Sequence, residues 1–287
     1  MPLSQDIINL YDAFTHGQLS RRAFMEKLTR AAGGAAAATA LLGALANNYA
    51  HAALVAEDDP RLATASQMYP SAAGDVRAYL VWSKEGAKRP AVIVVHENRG
   101  LNPHIKDVAR RIALEGFIAV APDVLTPEGG TPEDEDKARD LIGKLDPKAA
   151  IARLAAAVDF ARAMPESTGK TGAVGFCWGG GMVNEMAAHA DKLDAAIAYY
   201  GRQLTADRVP GIKAALMLHY AGKDDRINAG IADYETALKA SGKSYEIHMY
   251  PGAQHAFNND TNAARYNQQA AGLAWSRTVA FLKKYLS

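Results

Sequence analysis

From residue 76 onward, short runs of β-branched and apolar residues alternate with longer stretches whose apolar residues recur every three or four positions. Runs of the first kind are typical of buried strands, and stretches of the second kind are typical of amphipathic helices. The pattern predicts strands at residues 91–96, 118–121, 173–176, 195–200, 215–220 and 245–250, and helices at residues 105–114, 149–163, 182–189, 231–240 and 270–285. This alternation predicts a doubly wound α/β fold, with a mostly parallel sheet covered by helices on both faces.

Residues 1–52 form an extension with a different pattern, and one interpretation is an export signal. Residues 20–25 resemble a twin-arginine motif, residues 31–46 are rich in Ala and Gly, and residues 50–52 offer an A-x-A cleavage site. This interpretation, which we favour slightly, places the mature protein in the periplasm with a start near Ala53.

The other interpretation is a retained, cytoplasmic pair of helices. Residues 7–14 have an amphipathic pattern with acidic residues at Asp6 and Asp12, whereas the start of a signal peptide is basic. Such helices would pack on the main domain or join two copies into a homo-oligomer. Gly33 and Gly34 interrupt the apolar stretch, so we expect no stable membrane span.

Length and composition limit the remaining possibilities. The chain has 287 residues, enough for one large domain, which we place at residues 76–287 after a linker and entry segment at residues 53–75. Its 32 basic and 31 acidic residues nearly cancel, which argues against nucleic-acid binding and favours a small, neutral or weakly charged ligand. One cysteine excludes an intramolecular disulfide, and the histidines lack metal-ligand spacing, so neither metal nor cofactor is predicted.

The lone cysteine lies in a motif that carries chemistry. Gly175, Cys177 and Gly179 follow a buried apolar run and open a helical pattern, which matches the nucleophile elbow G-x-S-x-G with Cys in place of Ser. A cysteine at a helix N-terminus has a lowered thiol pKa, and the N–H of Trp178 would face a developing oxyanion. The competing interpretation is a buried structural cysteine.

A histidine and an acid follow the elbow in the order that such a nucleophile requires. His255 comes just after the last strand, in a loop-like segment where a general base is needed. His219 lies within an apolar strand and is better explained as a core residue. Asp224 and Asp225 both follow the strand that ends at residue 220, and either would orient His255.

These motifs together resemble the dienelactone hydrolase family, which has a cysteine-centred triad on an α/β-hydrolase fold. The likeness extends from about residue 76 to the C-terminus and includes residues 175–180, 222–224, 255–257 and 96–100. Alignment through Gly222 favours Asp224 over Asp225 as the acid.

The resemblance also implies roles for the residues after the first core strand. A glutamate in the position of Glu97 contacts the resting thiol and keeps it weakly reactive, and the N–H of the next residue, here Asn98, contributes to the oxyanion hole. Trp178 would supply the other N–H. Tyr200 and Trp178 are candidates for an aromatic wall of the substrate pocket, although a core role fits them equally.

One departure from the family concerns the substrate. Dienelactone hydrolase binds a substrate carboxylate with two arginines, but this chain has Thr126 near the first place and Asn259 at the second. The anion clamp is therefore absent, unless Arg99 or Arg202 replaces it from a neighbouring loop.

The sequence thus predicts a hydrolase that cleaves a small-molecule ester or lactone through Cys177, His255 and Asp224, with an acyl-enzyme intermediate. The alternative is a non-hydrolytic protein in which Cys177 senses redox state or binds a ligand on a hydrolase scaffold.

Overall fold

The part of the chain from residue 62 to the C-terminus is built around one eight-stranded sheet. A computed structural model describes residues 3–49 and 53–287. The eight strands are β1 (Leu62–Tyr69), β2 (Val76–Ser83), β3 (Arg89–Val95), β4 (Ile118–Asp123), β5 (Ser167–Phe176), β6 (Ala195–Tyr199), β7 (Ala215–Lys223) and β8 (Tyr245–Gln254). Their order is β1-β2-β4-β3-β5-β6-β7-β8. β1 and β2 pair antiparallel at one edge, β2 runs antiparallel to β4, and the other six strands are parallel.

Helices cover both faces of this sheet, as the alternation of patterns predicts. In chain order they are α1 (Gln5–Thr15), α2 (Arg21–Ala32), α3 (Ala35–Leu45), α4 (Pro103–Leu114), α5 (Glu135–Lys144), α6 (Pro147–Ala163), α7 (Trp178–His189), α8 (Asp225–Asn228), α9 (Ile231–Ala240) and α10 (Gln268–Leu286). The apolar sides of α4 and α10 pack on one face, and those of α6, α7 and α9 pack on the other. The α/β-hydrolase prediction is confirmed.

Sequence and structure differ at the edges of some elements. All six predicted strands are present, but Tyr200 lies just beyond β6, and α7 begins at Trp178 rather than at Met182. The segment predicted as a linker, residues 53–75, contains β1, which pairs with β2 along its whole length. β1 alternates only weakly between buried and exposed residues because it is an edge strand, so its hydrophobic pattern is faint.

The N-terminal segment folds into three helices that pack against one another. Tyr11, Phe14, Phe24 and Leu28 form the centre of a small apolar cluster of their own, with Phe14 and Phe24 stacked at 4.5 Å between ring centroids. Ser20 caps α2 by accepting a hydrogen bond from the N–H of residue 23. The proposed cleavage site at residues 50–52 lies outside the described residues.

Hydrogen bonds attach these helices to the catalytic domain near the carboxyl ends of its strands. The contacts join Gln5 to Gln254, the carbonyl of Thr15 to Asn98, the carbonyl of Leu45 to Asn262, and the N–H of Asn48 to the carbonyl of Thr261. In the described part of the chain, no single helix has the length and apolar character of a membrane span; α2 and α3 pass such a test only as a pair, bent by 111° at their junction.

Candidate active site

Cys177 sits on the sharp turn between β5 and α7. Its backbone has φ 55° and ψ −115°, a conformation that is costly for a non-glycine residue, and its N–H donates to the carbonyl of Tyr199 at 3.0 Å. A Cβ at Gly175 would lie 2.2 Å from the carbonyl oxygen of Gly179, and one at Gly179 would lie 2.4 Å from the carbonyl of His96. The glycines therefore permit the close packing of strand, turn and helix that holds the thiol at the sheet end.

His255 and Asp224 meet beside this turn. Nδ1 of His255 lies 2.5 Å from Oδ2 of Asp224, and both side chains are buried. Oδ1 of Asp224 accepts from the N–H of Ile227, so the carboxylate also caps α8 and is fixed in orientation. Asp225, the other candidate acid, is exposed at the first position of α8. The structure therefore brings together Cys177, His255 and Asp224 from the three strand ends that the sequence indicates.

A second histidine, which the sequence analysis did not single out, contacts the same sulfur. His16 follows α1, and its Nε2 lies 3.3 Å from Sγ of Cys177. Its Nδ1 lies 2.8 Å from the carbonyl oxygen of Asp12 and 3.3 Å from the Asp12 carboxylate. The ring also stands edge-on to His255, with 4.7 Å between centroids and 90° between planes. Sulfur thus lies between two imidazoles, each backed by an aspartate.

The pKa of the Cys177 thiol reflects this setting. Burial by itself raises the pKa, but the neighbouring His16 and His255 outweigh it and lower the pKa to about 6. Burial likewise lowers the pKa of His255, whereas the charges of Asp224 and Cys177 raise it to about 10. Burial opposes the charged form of His16 too, and Cys177 and Asp12 raise its pKa above the ordinary value. The three groups therefore favour an ionised thiol at neutral pH, and the negative groups around the two imidazoles favour their protonated forms.

The same three side chains have the composition of a transition-metal site. One ligand atom each from His16, Cys177 and His255 lies within 4.8 Å of the others, the single such trio found among residues 3–49 and 53–287. The sequence missed this cluster because its members are separated by more than 75 residues, so no ligand spacing is visible.

Glu97 and Asn98 lie next to the thiol but have other partners. Oε2 of the buried Glu97 accepts from Asn259 at 2.8 Å, and its Oε1 has no hydrogen-bond partner among the described residues. The side chain of Asn98 donates to the carbonyl of Thr15 at 2.7 Å. Glu97, Asn98, Cys177 and His255 share the lining of a cavity of about 20 Å³. The carboxylate is therefore near the thiol, and the hydrogen-bond contact to sulfur comes from His16.

Aromatic rings surround the two catalytic candidates. Trp178 stacks on His96 with 5.4 Å between centroids. Tyr200 packs at 4.9 Å from His255, and its backbone has φ 39°. Its hydroxyl is buried without a hydrogen-bond partner in the described part of the chain. His219, by contrast, is fully buried between Thr278 and Tyr250, as a core residue is expected to be.

A large cavity opens from Cys177. Its volume is about 930 Å³, and its lining includes His16, Trp178, Tyr200 and Arg202. Arg202 is exposed, and none of the described residues forms an ion pair with it. Arg99, the other candidate for an anion clamp, is buried and donates to the Asp136 carboxylate at 3.3 Å. Of the two arginines, only Arg202 lines this cavity.

The sequence analysis did not predict that Asp12, His16 and Asn259 contribute to the site. The signal for the first two was present, because Asp12 and His16 are four residues apart on one face at the end of an amphipathic helix. Asn259 was recognised as a departure from the family, but not as the partner of Glu97. His16 and Cys177 are 161 positions apart in the sequence, so no local sequence pattern indicates their contact.

Similarity to known proteins covers both parts of the chain. The sequence profile of the dienelactone hydrolase family matches residues 76–286. A profile described as YqhI-like matches residues 2–33, which include α1 and His16.

Individual relatives agree with these profiles. A Saccharolobus solfataricus protein named "Putative carboxymethylenebutenolidase" is 33% identical over 252 residues, covering 75% of this chain and 96% of the relative. An Escherichia coli protein named "Putative hydrolase fragment YghX" is 51% identical over 113 residues, covering 38% of this chain and 97% of the relative. The crystal structure of a "Putative Dienelactone Hydrolase" from Klebsiella pneumoniae matches with a TM-score of 0.72 and 30% identity, covering 78% of this chain and 99% of that one.

Proposed function

The chain belongs to the dienelactone hydrolase family of α/β-hydrolases, and on that premise we propose that it hydrolyses an ester or lactone with Cys177 as nucleophile. The observation that supports this most is the proximity of Asp224, His255 and Cys177 at the ends of strands β7, β8 and β5. A buried structural cysteine needs neither a strained elbow nor a lowered pKa.

In the proposed first half-reaction, the thiolate attacks the carbonyl carbon and forms a tetrahedral intermediate. The N–H groups of Trp178 and Asn98 hold the oxyanion. When the C–O bond breaks, the leaving alkoxide takes a proton from the His255 imidazolium, and the acyl group remains on sulfur as a thioester.

Deacylation then uses His255 as a base. The thiolate charge that raises the pKa of His255 disappears once sulfur is acylated, so the neutral imidazole becomes easier to maintain. His255 removes a proton from water, hydroxide attacks the thioester, and collapse releases the carboxylic acid and restores the thiolate. Asp224 keeps the ring in the required orientation throughout.

We propose Arg202 as the group that recognises a negatively charged part of the substrate. It lines the large cavity and forms no ion pair within the described residues, whereas Arg99 is bonded to Asp136. A guanidinium group in this position would bind a carboxylate with two hydrogen bonds.

Hydrolysis of two matched aryl esters, one neutral and one carrying a carboxylate, tests this role of Arg202. Arg202→Gln should raise KM for the charged ester alone, and equal changes for both would refute the assignment.

We also propose that the N-terminal helices stay with the mature protein. Two observations support this proposal: the Phe24 and Leu28 side chains are buried, and His16 contacts Cys177. Cleavage near Ala53 would remove both. Twin-arginine export with cleavage near Ala53 is the competing prediction, and homo-oligomerisation through these helices stays a separate prediction. Mass spectrometry of protein from its native host shows whether the N-terminal helices are cleaved. A mature N-terminus near Ala53 would contradict the proposal that they are retained.

The test of the function is hydrolysis of aryl esters, lactones and thioesters by the wild type and by Cys177→Ala. We expect the alanine variant to lose at least about 10³-fold in kcat/KM, since the covalent route is removed. Mixing the wild type with an activated ester should add one acyl mass to Cys177. Undiminished turnover by Cys177→Ala would disprove the mechanism, and a thiol that binds ligand without turnover would favour the sensor alternative.

A further inference from the structure

The contact between His16 and Cys177 has no place in a three-residue triad. The N-terminal segment reaches across the site and brings an imidazole nitrogen to 3.3 Å from the reacting sulfur. The side chain is partly buried, with 13% of its surface exposed, and its position is fixed from behind by Asp12 through the backbone carbonyl and the carboxylate. An imidazole held in this way at a nucleophile has the same construction as the Asp224–His255 pair.

We propose that His16 is a second catalytic histidine, whose Nε2–H donates to the sulfur of Cys177 and keeps it ionised until substrate arrives. The proposal rests on the cysteine mechanism above and adds a residue from outside the family-matched domain. In the family a glutamate contacts the resting thiol, whereas here the carboxylate of Glu97 is bonded to Asn259, and His16 has the hydrogen-bond contact with sulfur.

The geometry of the ring supports the protonated form. With Nδ1 facing two oxygens of Asp12, that nitrogen carries a proton, and Nε2 is the atom that faces sulfur. Asp12 is in turn held by Arg265 at 3.6 Å and Arg226 at 3.8 Å. Despite burial, the charge of His255 and the hydrogen bond and charge of His16 lower the pKa of Asp12 below the usual range, and Arg265 contributes less. A negative charge behind the ring and a thiolate in front of it both favour imidazolium.

Charges of both signs surround His16, so the direction in which its pKa shifts depends on how close each charge lies. Sulfur and the Asp12 carboxylate contact the ring directly, and His255 opposes them from 4.7 Å. Farther charged groups lining the same cavities are Glu97, Arg99, Arg139, Asp140, Lys144, Glu185, Arg202, Arg208, Arg226 and Arg265. The two contacting anionic groups outweigh the cations because Coulomb interactions weaken with distance and with solvent exposure.

His16 does not shuttle a proton in this scheme. The thiol S–H bond breaks when its proton passes to His255, which later protonates the leaving alkoxide, and His16 is already protonated from solvent. Once sulfur is acylated, the N–H of His16 loses its anionic partner, and it regains that partner when the C–S bond breaks. His16 therefore assists formation and expulsion of the thiolate, and no further reactant is needed.

The experiment measures alkylation of Cys177 by iodoacetamide as a function of pH, in full-length protein with a chelator present to exclude bound metal. The reaction reports thiolate directly and does not depend on ester hydrolysis. We expect the wild-type rate to rise with a midpoint near pH 6. In His16→Gln the midpoint should move up by at least about one pH unit, with a reaction at least about 5-fold slower at pH 6 and no loss above pH 9.

Gln5→Ala is the matched control, because Gln5 lies on α1 and bonds to Gln254 without touching the sulfur. Its alkylation profile should equal that of the wild type. Free imidazole added to His16→Ala should restore part of the rate at neutral pH, which distinguishes lost chemistry from lost structure.

The possible outcomes are distinct. An unchanged midpoint in His16→Gln overturns the proposal, and so does faster ester hydrolysis by that variant at pH 7, which would make the N-terminal segment an inhibitor. If the wild type hydrolyses no ester, the proposed function fails while the alkylation profile still shows whether His16 sustains the thiolate.

Discussion

Asp224 and Asp225 are adjacent in sequence, yet only Asp224 reaches His255, at 2.5 Å. Asp224→Asn should lower kcat of ester hydrolysis by about 10²- to 10⁴-fold, because the ring loses the carboxylate that orients it and stabilises its charge. Asp225→Asn is the matched control, since its exposed side chain begins α8, and it should change kcat less than about twofold. Steady-state kinetics of both variants checks this, and equal losses would contradict the choice of acid.

The pH dependence of kcat/KM follows from two of the residues. Hydrolysis should fall as the pH drops below about 6, because the Cys177 thiolate becomes protonated, and should fall again above about pH 10, as His255 loses the proton that the leaving group needs. A pH–rate profile on a neutral ester measures both limits. An acidic limit near 8.5, the ordinary value of a thiol, would show that the neighbouring imidazoles do not act on sulfur.

At the scale of elements, the turn between β5 and α7 depends on glycine. A Cβ at Gly175 would lie 2.2 Å from a backbone carbonyl oxygen, so Gly175→Ala must displace the start of α7. We expect a loss of at least about 2 kcal/mol of unfolding free energy and a large loss of activity. Gly272→Ala is the control, because Gly272 is exposed within α10 with no atom within 4 Å of an added Cβ, and it should stabilise by about 0.5–1 kcal/mol. Denaturant unfolding measures the free energy of unfolding of both variants. If Gly175→Ala were as stable and active as the wild type, the packing argument would be wrong.

Elements with strong periodicity were predictable, and those whose form depends on distant partners were not. The parallel strands β3 to β7 are buried on both faces over most of their length, so their apolar runs are continuous and identify them in the sequence. β1 is an edge strand with half of its residues exposed, and its position lies within the segment predicted as linker and domain entry. The proposed catalytic residues Cys177, His255 and Asp224 were recognisable because they follow strand ends. His16 is brought to Cys177 by docking of the N-terminal helices, which no local pattern encodes.

At the scale of the whole molecule, the site depends on a segment with its own small core. Leu28 is fully buried in that core, and Leu28→Ala should cost about 2–5 kcal/mol within the N-terminal helices. Because this core is separate from those that flank the sheet, we expect the catalytic domain to stay folded while His16 is released from Cys177. Hydrogen exchange should rise in residues 3–49, and the midpoint of thiol alkylation should move up. If hydrogen exchange rose in residues 3–49 while the pH midpoint of Cys177 alkylation stayed unchanged, the N-terminal helices would not control the acidity of the thiol.

The distribution of the site along the chain has a consequence for synthesis of the protein. A ribosome makes His16 first, Cys177 midway and His255 last, and the thiol reaches its two imidazoles only when nearly the whole polypeptide has emerged. Until then the sulfur has the ordinary acidity of a cysteine and is largely un-ionised at neutral pH. The nascent protein is therefore protected from premature acylation or oxidation, and its reactivity begins with the completed fold.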